Sequence, residues 1–227
     1  MNIKKIDADY GSPSVFYSRF YNSVIFGKGL GPRLIRKMHQ QMERNFAENF
    51  FEKVLEIGGG RGEHLDFIQH GFNEYFLTDI KMPVINGTWK DDVRINCRVE
   101  NAEQLTFKDE SFDRVISICL LHHVEQPEKV FEEILRVLKP KGVATIYMTC
   151  DPGLAVRILR ALTTARSAKK NGFKGFNLMM SREHRNHVGS LLQMARFVFR
   201  NRKLNVGYFP LYIPSWNLNG YLIIHIS

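Results

Sequence analysis

The chain has 227 residues, 44% of them hydrophobic and 24% charged, which is enough for one complete α/β domain and too little for a second large one. No run approaches the ~18 consecutive apolar residues that a membrane-spanning helix needs. The composition excludes a disulfide framework: the three cysteines Cys97, Cys119 and Cys150 are widely spaced, as in a protein of a reducing compartment.

In chain order, residues 12–50 read as helical, with Leu34, Met38 and Met42 forming one apolar stripe at i, i+4 and i+8. Gly27, Gly29, Gly31 and Pro32 set this stripe apart from an aromatic lead of Phe16, Tyr17, Phe20, Tyr21 and Phe26. A strand is predicted over 53–57, then a helix over 62–70 stopped by Gly71. Further strands follow at 74–80, 95–99 and 112–119. A helix opens at Pro127, with Phe131, Ile134, Leu135 and Leu138 on one face. Lys139-Pro140-Lys141-Gly142 ends it before a strand at 143–149. Residues 153–200 read as mostly helical, with Leu154, Ile158 and Leu162 as a stripe, and strand-like runs at 204–213 and 218–226 close the chain. Strands alternating with helices imply a doubly wound, mostly parallel sheet, here of seven strands. The run Met1–Asp9 has no apolar centre and carries acids early, so a secretory signal is not expected.

Val54-Leu55-Glu56-Ile57-Gly58-Gly59-Gly60-Arg61-Gly62 is the most informative stretch. An apolar strand runs into a glycine-dense turn, where the backbone can approach a ligand closely. The third glycine of a dinucleotide fingerprint is missing, since position 63 is Glu and position 65 is Leu. A carboxylate just before the turn, Glu56, suits a ligand bearing an amine rather than a pyrophosphate. Asp79 lies twenty-one residues after Gly58, the spacing at which an acid reaches both hydroxyls of a ribose.

Glu56-x-Gly58-x-Gly60-x-Gly62 resembles the first motif of the class I S-adenosylmethionine-dependent methyltransferases of the small-molecule, "methyltransferase 11" type. The resemblance extends over roughly residues 50–150. It includes Glu100-Asn101-Ala102, Ser111-Phe112-Asp113, Leu121-His122-His123-Val124, and Arg136-Val137-Leu138-Lys139-Pro140-Lys141-Gly142. It implies a Rossmann-like methyltransferase fold ending in an antiparallel strand pair, with S-adenosyl-L-methionine as cofactor. By the same resemblance Glu56 would sit near the methionyl amino group, and Gly58, Gly60 and Gly62 would let the backbone reach the cofactor. Asp79 would bind the ribose, Asn101 with Ala102 would hold the adenine, and the backbone at Cys119 would touch the methionyl moiety. Asn101 departs from the family's usual Asp, though an amide oxygen still accepts a hydrogen bond from the adenine amino group. Residues 1–50 resemble the helical cover of such enzymes, and 51–227 the catalytic domain.

Four histidines are candidates for a catalytic base: His122 and His123 after the fourth strand, and His184 and His187 in the helical insertion. Each has an alternative structural or surface role. No metal site is expected, for want of a clear third ligand. Tyr17, Tyr21, Arg182 and Arg185 are the residues expected to meet the acceptor. Residues 151–203 hold twelve Lys or Arg against two acids, Asp151 and Glu183, although the whole chain carries only +9. Such a block faces phosphates or an anionic membrane surface, or is a solvated helical face. The leading expectation is a cytoplasmic methyltransferase acting on a hydroxyl or amine of a small or carrier-linked anionic acceptor, with the inner membrane face as one place where such an acceptor is met. A nucleotide- or lipid-linked glycan of bacterial surface-polysaccharide synthesis is one such acceptor. Two alternatives stay open: an RNA methyltransferase, disfavoured because no RNA-binding module is appended, and a protein that binds S-adenosylmethionine without catalysis. A nicotinamide oxidoreductase is the least expected.

Overall fold

The computed structural model describes residues 10–85 and 87–227, so the N-terminal run 1–9 lies outside the described residues. Seven strands form one sheet in the order β3-β2-β1-β4-β5-β7-β6. They are β1 (Phe50–Ile57), β2 (Gly71–Asp79), β3 (Ile95–Val99), β4 (Phe112–Ile118), β5 (Leu138–Thr149), β6 (Leu204–Phe209) and β7 (Tyr221–Ile226). The first five pair in parallel, and β7 runs antiparallel to both β5 and β6. The strand order reverses between β1 and β4, and in open α/β sheets ligands bind outside the carboxyl ends of the strands at that point.

The helices are α1 (Pro13–Val15), α2 (Tyr21–Ile25), α3 (Leu30–Glu43), α4 (Pro127–Val137), α5 (Leu154–Leu162), α6 (Thr164–Lys170), α7 (Phe176–Glu183) and α8 (Val188–Val198). The sheet is covered on both faces, and strand periodicity decides which residue goes where. Leu55, Val115, Ile146 and Ile224 pack on the side of α4 and α8, with Phe131, Leu191 and Phe199. Val54, Ile116, Tyr147 and Ile223 face the other way, with Met38 and Met42 of α3. A third, smaller cluster joins the aromatic lead to the insertion: Phe16 and Val24 pack with Ala168, Phe173, Phe176 and Met179.

Under α3 the core holds charge. Arg114 of β4 is fully buried and donates through Nη2 to Glu43 Oε1 at 2.5 Å. His64 Nε2 meets the same oxygen at 3.0 Å, and His64 Nδ1 lies 2.9 Å from His39 Nδ1. The Phe46 ring sits 3.7 Å under the guanidinium. Burial pushes the Glu43 carboxyl up, but the His64 hydrogen bond and the charges of Arg114 and the histidines outweigh it and hold the group at about 2. His64 follows the glycine turn directly, so this network fastens the turn to α3 and β4.

Four expectations need correction. The helix predicted over 62–70 is only a single 3-10 turn, Leu65–Phe67. Residues 58–70 must return the chain along the eight-residue β1, which pairs Phe50 with Gly71. Such a strand is ~26 Å long, whereas these residues wound as a helix would rise only ~20 Å. Residues 12–50 are not one helix. The lead folds as α1, a π turn at Phe16–Phe20 and α2, then breaks at Gly29 with φ +127° before α3, and β1 begins as early as Phe50. β5 starts at Leu138, because Phe112 pairs with Leu138 and Arg114 with Val143, so that Lys139–Gly142 bulge out of the ladder. The run at 204–213 is strand only to Phe209, after which the chain turns at Tyr212 with φ +59°.

Candidate active site

The carboxyl ends of β1, β2 and β4 bring most of the expected donor-binding residues to one edge. Gly58 has φ +72°, and a Cβ there would lie 2.9 Å from Leu120 Cδ1, so only glycine fits against the residue following Cys119. The Gly60 N–H donates to Asp79 Oδ2 at 3.1 Å, and the Lys81 N–H to Asp79 Oδ1 at 3.3 Å. Asp79 is thus aimed at the turn while half-exposed, as a diol ligand requires. Asn101 is exposed beside half-buried Ala102, and its Oδ1 already accepts the Glu103 N–H at 3.0 Å. One lone pair and the whole NH₂ group remain for a ligand.

Glu56 is buried. Only 2% exposed, it lies beneath the turn and accepts the Tyr75 hydroxyl at 2.6 Å, and a Cβ on Gly59 would come within 3.0 Å of its carboxyl carbon. It braces the turn from below. Burial pushes its carboxyl up to about 7, against the lowering effect of His64 and Tyr75.

The aromatic lead closes over this edge. Arg61 of the turn donates to the Asn22 side chain at 3.2 Å and to the Tyr17 carbonyl at 3.1 Å, with its guanidinium 5.8 Å from the centre of the Tyr21 ring. Burial, followed by negative charge at Cys119 and Glu183, raises the Tyr17 phenol above its usual range. Tyr17 and Tyr21 therefore border the end of β4. In contrast, Arg182 and Arg185 are exposed. Arg182 reaches only the Gly11 carbonyl at 3.5 Å, and Arg185 donates through Nε to the Arg182 carbonyl at 3.3 Å.

At the end of β4 the side chain of Cys119 matters more than its backbone, whose N–H is engaged by the Tyr147 carbonyl at 3.1 Å. Cys119 sits at φ +56°, a conformation in which non-glycine residues are uncommon and which is often found at functional sites. Its sulfur meets His123 and His184. The three donor atoms all lie within 4.8 Å of one another, and all three residues are half-buried. Burial alone would raise the thiol, but hydrogen bonds from His123 and His184 bring it well below its ordinary value. His184 Nδ1 is 2.6 Å from Asp151 Oδ2, and Arg160 pairs with the same oxygen. Burial disfavours the His184 cation, yet Asp151 and Cys119 raise its pKa to about 9. Glu183 Oε2 stands 3.6 Å from His123 Nδ1.

The four candidate histidines separate by geometry. His122 is fully buried, with Nδ1 donating to the Asn186 carbonyl at 2.8 Å and Nε2 at 3.1 Å from the Thr149 hydroxyl. Both nitrogens are occupied, so His122 is structural, and its ring stacks on His184 at 4.8 Å. His184 holds its proton at neutral pH. His123 is half-exposed beside Cys119. His187 is exposed on the wall of a cavity of about 670 Å³ that also reaches Asp151, Arg157, Arg160, Met180 and His184.

Sequence reasoning missed Asp151, Arg160 and the thiol of Cys119. The available signals were a cysteine at a strand end beside paired histidines, and an acid directly after the fifth strand. It expected no third metal ligand, whereas Cys119 joins two histidines from different elements.

Residues 55–146 match the family model described as a methyltransferase domain. Residues 55–146 thus form a methyltransferase domain, in a fold shared with S-adenosylmethionine-dependent methyltransferases. The domain is similar to the mitochondrial arginine-hydroxylase NDUFAF5 of Mus musculus, at 34% identity over 41% of this chain and 27% of that one. It is equally similar, at 34%, to the ubiquinone/menaquinone biosynthesis C-methyltransferase UbiE of Vibrio campbellii, over 40% of this chain and 39% of that one. The chain thus spans well under half the length of these curated relatives. Among solved structures, phosphoethanolamine N-methyltransferase 2 of Haemonchus contortus, in complex with S-adenosyl-L-methionine, superposes with TM-score 0.60 at 16% identity. That match covers 93% of this chain and 59% of the other. The expected seven-stranded Rossmann-like methyltransferase fold and the S-adenosylmethionine cofactor of this domain are borne out.

Proposed function

We propose that this protein transfers the methyl group of S-adenosylmethionine to a hydroxyl or amine of an anionic acceptor. The supporting observation is a juxtaposition across the β1/β4 switch point. The glycine turn with Asp79 lies on one side, and Cys119 with His123 and His184 lies on the other, beside a cavity walled by Arg157 and Arg160. Methyl transfer from a sulfonium is an in-line displacement in which the thioether leaves without a proton. Alignment of nucleophile, methyl carbon and sulfur is the main task, and positioning supplies up to ~7–11 kcal/mol. Tyr17 and Tyr21 would shield the sulfonium from water as the cover closes. His123 and His187 fit the part of base better than His122, whose nitrogens are both engaged, or His184, which is already protonated. A base would contribute about 10²–10⁴-fold for a hydroxyl acceptor.

The surface of α5 favours an acceptor presented at a membrane. Leu154 and Ile158 are each 53% exposed and Leu162 64%, a stripe at i, i+4 and i+8 turned to solvent, with Arg157 exposed beside it. An apolar stripe edged by cations is the chemistry that lies in a lipid interface. This supports a lipid-linked glycan over a free nucleotide sugar as the acceptor, at an anionic membrane face.

Calorimetry with S-adenosylmethionine, S-adenosylhomocysteine and NAD tests the donor assignment, and binding of NAD alone would end it. Incubation with methyl-labelled S-adenosylmethionine and lipid-linked or nucleotide-linked sugars tests the acceptor. Labelled glycolipid is expected. Tight cofactor binding with no transfer to any acceptor class would instead identify a non-catalytic binding protein.

A further inference from the structure

We propose that Cys119, His123 and His184 form a site for one divalent transition-metal ion of the zinc class. A thiolate and two imidazoles are a donor set that zinc takes in tetrahedral sites, and three protein ligands leave the fourth position open, as in catalytic rather than structural centres. The donor atoms already lie within 4.8 Å of one another. Zinc–ligand bonds of ~2.0–2.3 Å need edges of roughly 3.3–3.8 Å, so closure by about an ångström completes the triangle. The residues are half-buried, which leaves the ion a way in.

The surroundings of the two histidines carry the inference further than the trio alone. A metal-ligating imidazole characteristically gives its other nitrogen to a carboxylate, which fixes the ring and increases its basicity. His184 has such a partner at Nδ1, Asp151 at 2.6 Å, whereas Glu183 stands 3.6 Å from His123 Nδ1, beside it but outside hydrogen-bond range. That leaves Nε2 of His184 as its free nitrogen. Arg160 pairs with the same Asp151 oxygen, and His122 stacks against His184 with the planes 8° apart. A simple thiolate–imidazolium pair needs one histidine, whereas here two imidazoles from different elements converge on a single sulfur.

The open position would lie where β4 ends, with His184 forming part of the cavity wall. The role of the ion there rests on the methyl-transfer reading, although its binding does not. Held by Cys119, His123 and His184, the ion would act as a Lewis acid that eases loss of the acceptor hydroxyl's proton to solvent, and the oxygen would then attack the methyl carbon. The new O–C bond forms as the C–S bond breaks, and the electron pair stays on sulfur as the neutral thioether.

The test uses the full chain stripped with a chelator and titrated with cobalt(II) chloride, then with zinc(II) chloride. Expected are one cobalt per chain, the visible bands of a tetrahedral ion, a thiolate-to-cobalt charge-transfer band in the near ultraviolet, and loss of all of these on zinc addition. Cys119→Ser should lose the charge-transfer band. Asp151→Asn should keep it while weakening cobalt binding about 10–100-fold. Should Cys119→Ser fail to fold, His123→Gln serves, with the tetrahedral bands expected to vanish. No cobalt signal in a chain that still binds S-adenosylhomocysteine would overturn the metal site and leave the methyltransferase reading intact. An undiminished charge-transfer band in Cys119→Ser would overturn it as well. Cobalt binding without S-adenosylhomocysteine binding would support the metal site and count against the methyl-transfer reading alone.

Discussion

At Asp79 a single carboxylate connects the glycine turn to the edge where a ribose is expected. Asp79→Ala is expected to weaken S-adenosylhomocysteine binding by about 1.5–3 kcal/mol, the scale of hydrogen bonds to a charged group. Calorimetry checks this, and unchanged affinity would move the ribose elsewhere. Glu56 makes a different prediction. Its carboxyl titrates near 7 in the free protein, and the ammonium of a bound methionyl group above it would favour the ionised form. Cofactor binding at pH 7 should therefore release a fraction of a proton, measured as a binding enthalpy that changes with the ionisation heat of the buffer. In Glu56→Gln that dependence should disappear. The grouping of Gly58, Gly60 and Asp79 at one edge was legible because strand-end motifs bring such residues together within one short stretch of chain. The Cys119–His184–Asp151 contacts were not, because they join three segments that only the fold brings together, and no periodicity marks a side chain that meets a partner 65 residues away.

Among the elements, α3 depends on the charge beneath it. Removing one member of a buried ion pair strands the other, typically at about 3–5 kcal/mol. Glu43→Ala should destabilise the fold on that scale, read as a lower denaturation midpoint. Replacing Glu43 and Arg114 together with apolar residues should cost less than either single change. The same region sets the acid limit. Burial holds His39 at about 3, and His70 and His225 at about 4, all below the ordinary value of 6.5. Histidines with lowered values stabilise the fold fully above 6.5, and that contribution is lost as pH falls toward the folded values. Glu43, held at about 2, adds a loss between 4.5 and 2. Thermal melts should fall steadily below pH 6.5, and a flat midpoint from 6.5 to 4 would contradict this account. Strand β3 and helix α4 were legible to within a residue, since both carry clear local signals. The helix expected after the glycine turn failed because its length conflicts with the register of β1 and β2, a constraint between strands that no local window contains.

At the scale of the whole molecule, the basic excess of residues 151–203 and the exposed α5 stripe make the proposed membrane contact testable. Ile158→Glu with Leu162→Glu should abolish co-sedimentation with vesicles containing anionic lipid while leaving S-adenosylhomocysteine affinity unchanged, because neither residue touches the glycine turn. Retained sedimentation would assign the basic block to another anion. The sequence carried the charge excess but not its meaning, since a stripe at helical spacing reads the same whether it faces a core or a lipid.

Phe16 lies 5.2 Å from Phe173 and 5.5 Å from Phe176, and Phe20 lies 5.3 Å from Phe173, measured between ring centres. The aromatic lead beside the glycine turn is thus packed onto the helical insertion that lines the cavity, and neither can swing without the other. Under the proposed function loading would have a grammar: a seated donor would stiffen the insertion in advance, so that the second guest would find much of its ordering already done.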